Sequence, residues 1–440
     1  MSSVEVGLAG AQGAPDASGA ADQIRSIVGG SIGNLIEWYD WLVYSAFSLY
    51  FAKAFFPSAS QTAQLLNAAA IFAVGYFMRP IGGLLLGLYA DRKGRRAALT
   101  LSVLMMCGGS LLIAVAPDFR SIGMAAPVLL VVARLLQGTS VGGEYGTSAT
   151  YLSEMATGKW RGFYSSFQYV TLQGGQLLAV IVLVLLQQVF LTPAQLEEWG
   201  WRIPFALGAG FAVVAFYLRR RLGETTAFDA RRDRQPTENL VRVLLRHPRA
   251  ILTVCGLTLG GTVAIYTYTV YMQKFLVNSG TISKSNSTLI SAATLLFFIF
   301  LQPIVGALSD VVGRRPVLIG FGVFGSASTV PLLTAISRTH SAVTALALVL
   351  TGMVIVSGYT AVNAATKAEL FPTEIRALGV GLPYAITVAL FGGTTEYVGL
   401  WLKQHGHEPW FYWYVTACIF TSLLVYVSMP ETRHRKLEGD

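Results

Sequence analysis

The chain has 440 residues, 53% of them hydrophobic and only 12% charged, with a formal net charge of +9. A soluble domain usually carries about twice that charged fraction, so the apolar surface is expected to face lipid. The basic excess lies in short connectors between apolar runs, which argues for topogenic charge and against a nucleic-acid partner.

In chain order, residues 1–24 are small, polar and rich in Gly, Ala and Ser, and read as a disordered cytoplasmic tail. Twelve apolar segments come next, at roughly 27–51, 63–89, 97–116, 124–153, 163–191, 203–221, 250–277, 287–309, 316–336, 342–366, 377–402 and 410–428. Each is long enough to cross a bilayer core of about 30 Å as a helix. Their continuity is unlike the alternating pattern of a barrel. The first run is interrupted by Glu37, Trp38, Tyr39 and Asp40, unlike a signal peptide. Cys107, Cys255 and Cys418 all fall inside apolar runs, with no disulfide or metal-ligand spacing.

The fold class expected is an all-α polytopic membrane protein. Lys and Arg collect on alternate connectors, including Arg92–Arg96, the arginine-rich stretch near 219–249, and Arg433–Lys436, which places both termini inside. The long connector divides the chain into a bundle at 25–221, a cytoplasmic linker at 222–248, a second bundle at 249–429 and a tail at 430–440. The halves repeat. Gly87-Leu-Tyr-Ala-Asp91-Arg-Lys-Gly94-Arg95-Arg96 follows the second span, and Gly306-Ala-Leu-Ser-Asp310-Val-Val-Gly313-Arg314-Arg315 follows the eighth. Glu154 and Arg161 flank the connector after span four, and Glu369 and Arg376 recur with the same separation after span ten. Two independent pairs at matching offsets point to a six-plus-six duplication with pseudo-symmetric bundles.

The repeated G-x-x-x-D-x-x-G-R-R resembles that of the major facilitator superfamily. Within it, Gly33-Asn34-Leu-Ile-Glu37-Trp38-Tyr39-Asp40, Arg79-Pro80-Ile-Gly82-Gly83, Arg134-Leu-Leu-Gln137-Gly138, Gly142-Gly143-Glu144 and Trp199–Phe205 resemble the metabolite:proton symporter family. Gly143–Tyr151, Ser166–Leu172, Tyr271-Met272-Gln273-Lys274 and Arg376–Gly381 are similar to its α-ketoglutarate-importing members. The similarity runs from about residue 25 to 430. It implies twelve helices, alternating access, and uptake of a small dicarboxylate with protons. Span five has no proline, unlike the drug-exporting antiporters of the superfamily.

Candidate residues fall into three groups. At the connector level, Asp91, Arg95, Asp310 and Arg314 suit a closable ionic latch, with Glu154, Arg161, Glu369 and Arg376 at the same depth as partners. Asp91 can bind a helix N-terminus or an arginine of the neighbouring bundle. In span one, Asn34, Glu37, Asp40 or Trp41, and Tyr44 share a helical face. Glu37 and Asp40 are candidate proton sites, since ionisable groups in a span are costly and usually face a cavity or partner. A structural hydrogen bond to another span is the competing reading. Arg134 and Glu144 are ten residues apart, roughly 15 Å along a helix, so Arg134 is expected to pair with an acid of span one. The resemblance associates that arginine with proton coupling. Gly138, Gly142 and Gly146 form a helix-packing stripe.

A dianion near mid-membrane requires cations. The spans and their ends offer Arg79, Arg134, Lys274 and Lys367, the last at the cytoplasmic end of span ten. Arg79 and Lys274 come from opposite halves, as expected of a site at the repeat interface. Gln168, Tyr268, Tyr271 and Tyr44 are candidate pocket groups, able to donate to carboxylate or keto oxygens.

The competing functions are transport of another solute, such as citrate, shikimate or a proline- or betaine-type osmolyte, and a membrane-embedded enzyme or receptor. Osmoregulatory members of the family tend to carry a long coiled-coil tail, whereas this chain ends at Asp440, soon after the last span. No metalloprotease, hydrolase or P-loop motif appears. No cofactor is expected. The expected partners are a small carboxylate, protons and lipid, with the protein acting as a monomer.

Overall fold

The computed structural model describes residues 17–58, 60–93, 95–142, 160–220, 240–280, 282–372 and 375–433. Twelve long helices account for most of these. In the first half they are α1 (Ala17–Phe55), α2 (Gln61–Lys93), α3 (Arg95–Val115), α4 (Ala125–Val141), α5 (Arg161–Leu185) and α6 (Ile203–Arg220). In the second half they are α7 (Pro248–Tyr266, continued through Met272–Asn278), α8 (Lys284–Val312), α9 (Arg314–Arg338), α10 (Ala342–Thr360, then Asn363–Ala368), α11 (Arg376–Thr387, then Thr395–Gln404) and α12 (Glu408–Ser428). Eight of the helices are long and apolar enough to cross a membrane. In lipid the backbone must satisfy itself, and an unbroken helix does so.

Two boundaries differ from the expected layout. Helix α1 reaches back to Ala17, inside the stretch read as a tail. Beyond α12, the Glu431 carboxylate accepts from the backbone N–H groups of Arg314 and Arg315, so the chain here returns to the start of α9.

Three helices carry a π turn: Leu186–Phe190 extends α5, Thr267–Tyr271 lies within α7 and Val388–Gly392 within α11. A π turn shifts the phase of every side chain beyond it and recurs at functional sites. Helix α10 is broken at Ala361–Val362.

Within the halves, α2 lies against α4, α3 against α6, and α12 against both α7 and α9. Across the halves, α5 runs along α8 and α2 meets α11. Small residues set these distances. A Cβ on Gly142 would fall 2.0 Å from the Arg79 carbonyl oxygen, and one on Gly306 would fall 2.6 Å from that of Gly162. Outward-facing residues such as Leu85, Phe300, Ile304, Phe324 and Trp410 are large, apolar and exposed, as a lipid-facing rim requires.

Gly142→Leu should therefore force α2 and α4 apart. The expected cost is about 1–3 kcal/mol, read as a lowered thermal midpoint of the detergent-solubilised protein. An unchanged midpoint would mean that this crossing does not limit stability.

Candidate functional site

Between the halves lies a narrow cleft lined by Trp38 and Leu42 of α1, Tyr169, Leu172, Gln173 and Gln176 of α5, Ile265, Tyr266, Thr269 and Val270 of α7, and Tyr384 of α11. Its space is about 10 Å³, room for about one water. The halves have thus closed around it. The Tyr76 and Tyr266 hydroxyls meet across the interface at 2.7 Å, with Trp41 Nε1 donating to Tyr76 at the same distance. Gln176 Nε2 donates to the Thr269 carbonyl at 2.8 Å, also across the halves.

Cations stand at both ends of the cleft. Arg79 is fully buried, its guanidinium 5.2 Å from the Trp38 ring and 5.4 Å from that of Tyr76. Its Nε and Nη1 have no acceptor among the described residues. From the second half, the buried Lys367 Nζ sits 4.1 Å over the Tyr384 ring and donates to Asn363 Oδ1 at 2.9 Å. The break in α10 lies just ahead of this short helical segment, on which Lys367 is fully buried, two residues before Glu369.

Lys274 occupies the other end. It is fully buried and donates to Glu396 Oε2 at 2.8 Å, to Ser45 Oγ at 2.5 Å and to the Val270 carbonyl at 3.4 Å. Ser45 Oγ donates to the same Glu396 oxygen at 3.3 Å. Trp38, beneath Arg79, and Ser45, beside Lys274, share a face of α1 seven residues apart. That spaces Trp38 and Ser45 themselves by roughly 10 Å along the axis of α1. Glu396 is absent from the residues singled out by sequence. Its one signal is that of a lone acid in an apolar span.

The pocket aromatics expected from sequence point elsewhere. Tyr44 donates to the Ala68 carbonyl at 3.1 Å and stacks on Phe72 inside the first half. The Tyr268 ring lies against the Gly352 position, and that of Tyr271 against Gly399 and Phe411. Both face the interior of the second half, while Ile265, Tyr266, Thr269 and Val270, spaced by four, hold the cleft face. Gln168 is buried on α5 but does not line the cleft, where Gln173 and Gln176 stand instead.

Arg134 lies within electrostatic reach of Asp40 of α1, as expected, but makes no direct ion pair with it. Its guanidinium lies 3.9 Å over the Trp41 ring and 4.9 Å over Tyr44, and it donates to Gln137 Oε1 at 2.8 Å. Gln137 in turn donates to Ser110 Oγ at 2.8 Å. Asp40 is fully buried against Gly208, and neither of its carboxylate oxygens has a hydrogen-bond partner among the described residues. Glu37 is buried one turn earlier. Glu144 lies outside the described residues.

The end of the molecule that carries the repeated motifs is closed by buried charge. Asp310 accepts from the backbone N–H groups of Gly162 at 2.8 Å and Phe163 at 2.9 Å, capping the start of α5 from the opposite half. Arg314 Nη1 bonds Asp310 at 2.8 Å, and Glu369 lies 3.4 Å from Arg161 and 3.7 Å from Arg314. Arg376 is buried nearby and donates to the Phe371 carbonyl at 3.3 Å. Glu154 and the side chains of Asp91 and Arg95 lie outside the described set. At the opposite end, Lys284 meets Glu197 at 2.6 Å, and Thr62 and Asn278 bond each other across the halves.

Two pseudo-repeated bundles, closed around buried charged groups, define a multi-pass membrane transporter. The chain belongs to the sugar (and other) transporter family of the major facilitator superfamily, whose family model matches residues 27–241 and 224–439. It is 51% identical over 417 residues to the alpha-ketoglutarate permease of Escherichia coli (strain K12), covering 95% of each chain. It is 34% identical to the citrate-proton symporter of Klebsiella pneumoniae, covering 88% of this chain and 87% of that one. It is 32% identical to the proline/betaine transporter of Salmonella typhimurium, over 94% and 85% respectively. Among solved structures, a partially occluded inward-open form of the xylose transporter XylE from E. coli superposes with a TM-score of 0.69 at 19% identity, covering 93% of this chain and 98% of that one. At that identity it bears on the fold alone.

Asp310→Asn should weaken the closed motif end by about 1.5–3 kcal/mol, the range for hydrogen bonds to a charged group. Spin labels at Tyr164 and Leu308, both exposed there, are expected to move apart in the variant. An unchanged distance distribution would remove Asp310 from the latch.

Proposed function

We propose that the protein is a proton-coupled symporter that imports α-ketoglutarate across an inner membrane, with both termini in the cytoplasm. The observation that carries this reading is the 51% identity over 95% of the chain to an alpha-ketoglutarate permease. The cleft supports it independently. Four carbon–carbon bonds place the end carboxyl carbons of such a chain about 5 Å apart. With charge-assisted contacts of about 2.8 Å at each end, the molecule reaches between cations roughly 10–12 Å apart. The α1 residues beside Arg79 and Lys274, Trp38 and Ser45, are spaced on a similar scale. One carboxylate binds Arg79, with Lys367 beside it, and the other binds Lys274. Gln173, Gln176, Tyr266 and Tyr384 donate to the remaining oxygens.

Asp40 and Glu37 carry the coupled protons in the first half, with Arg134 holding their electrostatic surroundings and Glu144 on the same helix. Asp40 is buried and has no hydrogen-bond partner among the described residues, so its ionised form is costly there. Asp91, Arg95, Glu154, Arg161, Asp310, Arg314, Glu369 and Arg376 form the cytoplasmic gate. Its cross-half bonds break as the two bundles rock between access states.

The test is uptake of labelled α-ketoglutarate into proteoliposomes with and without an inward proton gradient, challenged by unlabelled succinate, citrate, shikimate and proline. Gradient-dependent accumulation competed best by α-ketoglutarate is expected. Uptake of a competitor alone would overturn the substrate. Arg79→Lys should weaken binding at least tenfold, since an ammonium cannot make the two parallel bonds of a guanidinium. Normal affinity would remove Arg79 from the site. Asp40→Asn should retain counterflow exchange and lose accumulation, whereas loss of both would mark Asp40 as structural.

A further inference from the structure

The geometry points to Glu396 as a second coupling carboxylate, one that occupies the place of the substrate on Lys274 until the substrate arrives. This rests on the proposed dicarboxylate import and deepens it. The Lys274 ammonium has three donors, and here they go to Glu396, Ser45 and the Val270 carbonyl. An entering carboxylate must therefore displace one of these acceptors. Glu396 is the anionic one, and the substrate carboxylate is its chemical equivalent. Val270, whose carbonyl accepts from Lys274 Nζ, lines the cleft, so the ammonium lies directly behind a residue of the cleft wall.

Charge balance then calls for a proton. Lys274 and Glu396 form a neutral buried pair. Adding a substrate carboxylate leaves one uncompensated negative charge in a site almost without water, which is strongly unfavourable. One proton on Glu396 restores neutrality. The exchange breaks the hydrogen bond from Lys274 Nζ to Glu396 Oε2 and forms one from Nζ to the substrate. A proton from the aqueous phase is then bonded to a Glu396 oxygen. No other bond changes, and release of the substrate reverses each step.

The charged or titratable groups around Glu396 permit this assignment. Lys274 is its direct partner from α7, with Tyr271 a further α7 neighbour. Helix α1 presents Tyr44 and the hydroxyl of Ser45. Helix α2 presents Tyr76, against Gly393 a turn earlier on α11, and the Glu408 carboxylate of α12 is held by Lys403 at 3.1 Å. Asp40 is on the far side of α1, packed against Gly208 of α6. Ser45 is the first-half side chain that touches the pair, so the exchange on Lys274 also breaks or remakes a bond between the bundles.

The deciding experiment titrates the purified full-length protein with α-ketoglutarate calorimetrically, between pH 5 and 8, in buffers of different ionisation enthalpy. This counts protons taken up per substrate bound. Wild type is expected to take up protons, and Glu396→Gln to take up about one fewer. With the competing carboxylate gone, Glu396→Gln should also bind about tenfold tighter at high pH. Glu396→Asp should restore the missing proton. A wild-type proton count in Glu396→Gln would overturn the assignment. Should that variant not fold, Lys274→Met combined with Glu396→Gln removes both charges together. It is expected to bind at least a hundredfold more weakly, and substrate binding with the wild-type proton count would again overturn the proposal. Absence of α-ketoglutarate binding by the wild-type protein is a different outcome, which overturns the substrate reading itself.

Discussion

Charge buried away from water is the constraint on which the remaining architecture depends. A guanidinium, ammonium or carboxylate in a lipid-embedded bundle must be paired, stacked on an aromatic ring, or aimed at a cavity that something else will fill. All three solutions occur here. Lys274 is paired with Glu396. Arg134 lies over Trp41 and is tied to Gln137. Arg79 rests on Trp38 and Tyr76, with two nitrogens unsatisfied by any described residue. The three arrangements differ in how easily they yield. A stacked, hydrogen-bonded arginine is fixed, whereas a carboxylate on a lysine can be exchanged for another carboxylate.

The same constraint explains why the bundles can separate. The latch joins them through groups that each half can satisfy in another way. Asp310 caps the first backbone N–H groups of α5 from the opposite half, a favourable use of the positive end of a helix dipole. When that cap is released, Asp310 retains Arg314 of its own half at 2.8 Å, and the freed N–H groups can meet water. The Gly162–Gly306 contact lets α5 and α8 approach with little side-chain interlock, so parting them leaves few large cavities behind.

Legibility in the sequence tracked the length of the signal. Apolar runs of about twenty residues specify spans by the bilayer dimension alone. The repeated D-x-x-G-R-R and E-x6-R patterns brought Arg161, Asp310, Arg314 and Glu369 to a single level, where they do meet. Side-chain direction within a span was less legible. Sequence did not tell which face of α7 meets the other half: Ile265, Tyr266, Thr269 and Val270, spaced by four, hold the cleft while Tyr268 and Tyr271 pack inward. Arg134 illustrates a further ambiguity, since it stacks on the Trp41 ring while the Asp40 carboxylate stands within electrostatic reach rather than in direct contact.

A dicarboxylate transporter needs a site that is cationic when loaded and tolerable when empty. Two free cations facing a closed, nearly dry cleft would be prohibitively unstable, and two permanently paired ones would bind nothing. The asymmetry between the ends of this cleft resolves the conflict. The Arg79 end lowers the cost of its charge with aromatic faces, which do not compete for the donors a carboxylate needs. The Lys274 end lowers it with Glu396, which does compete and must therefore be released. Only the second kind of end links occupancy to a change in the protein's own charge. A coupling proton is consequently best placed on the acid that the substrate displaces, and the Ser45 hydroxyl carries that event across the interface to the other bundle.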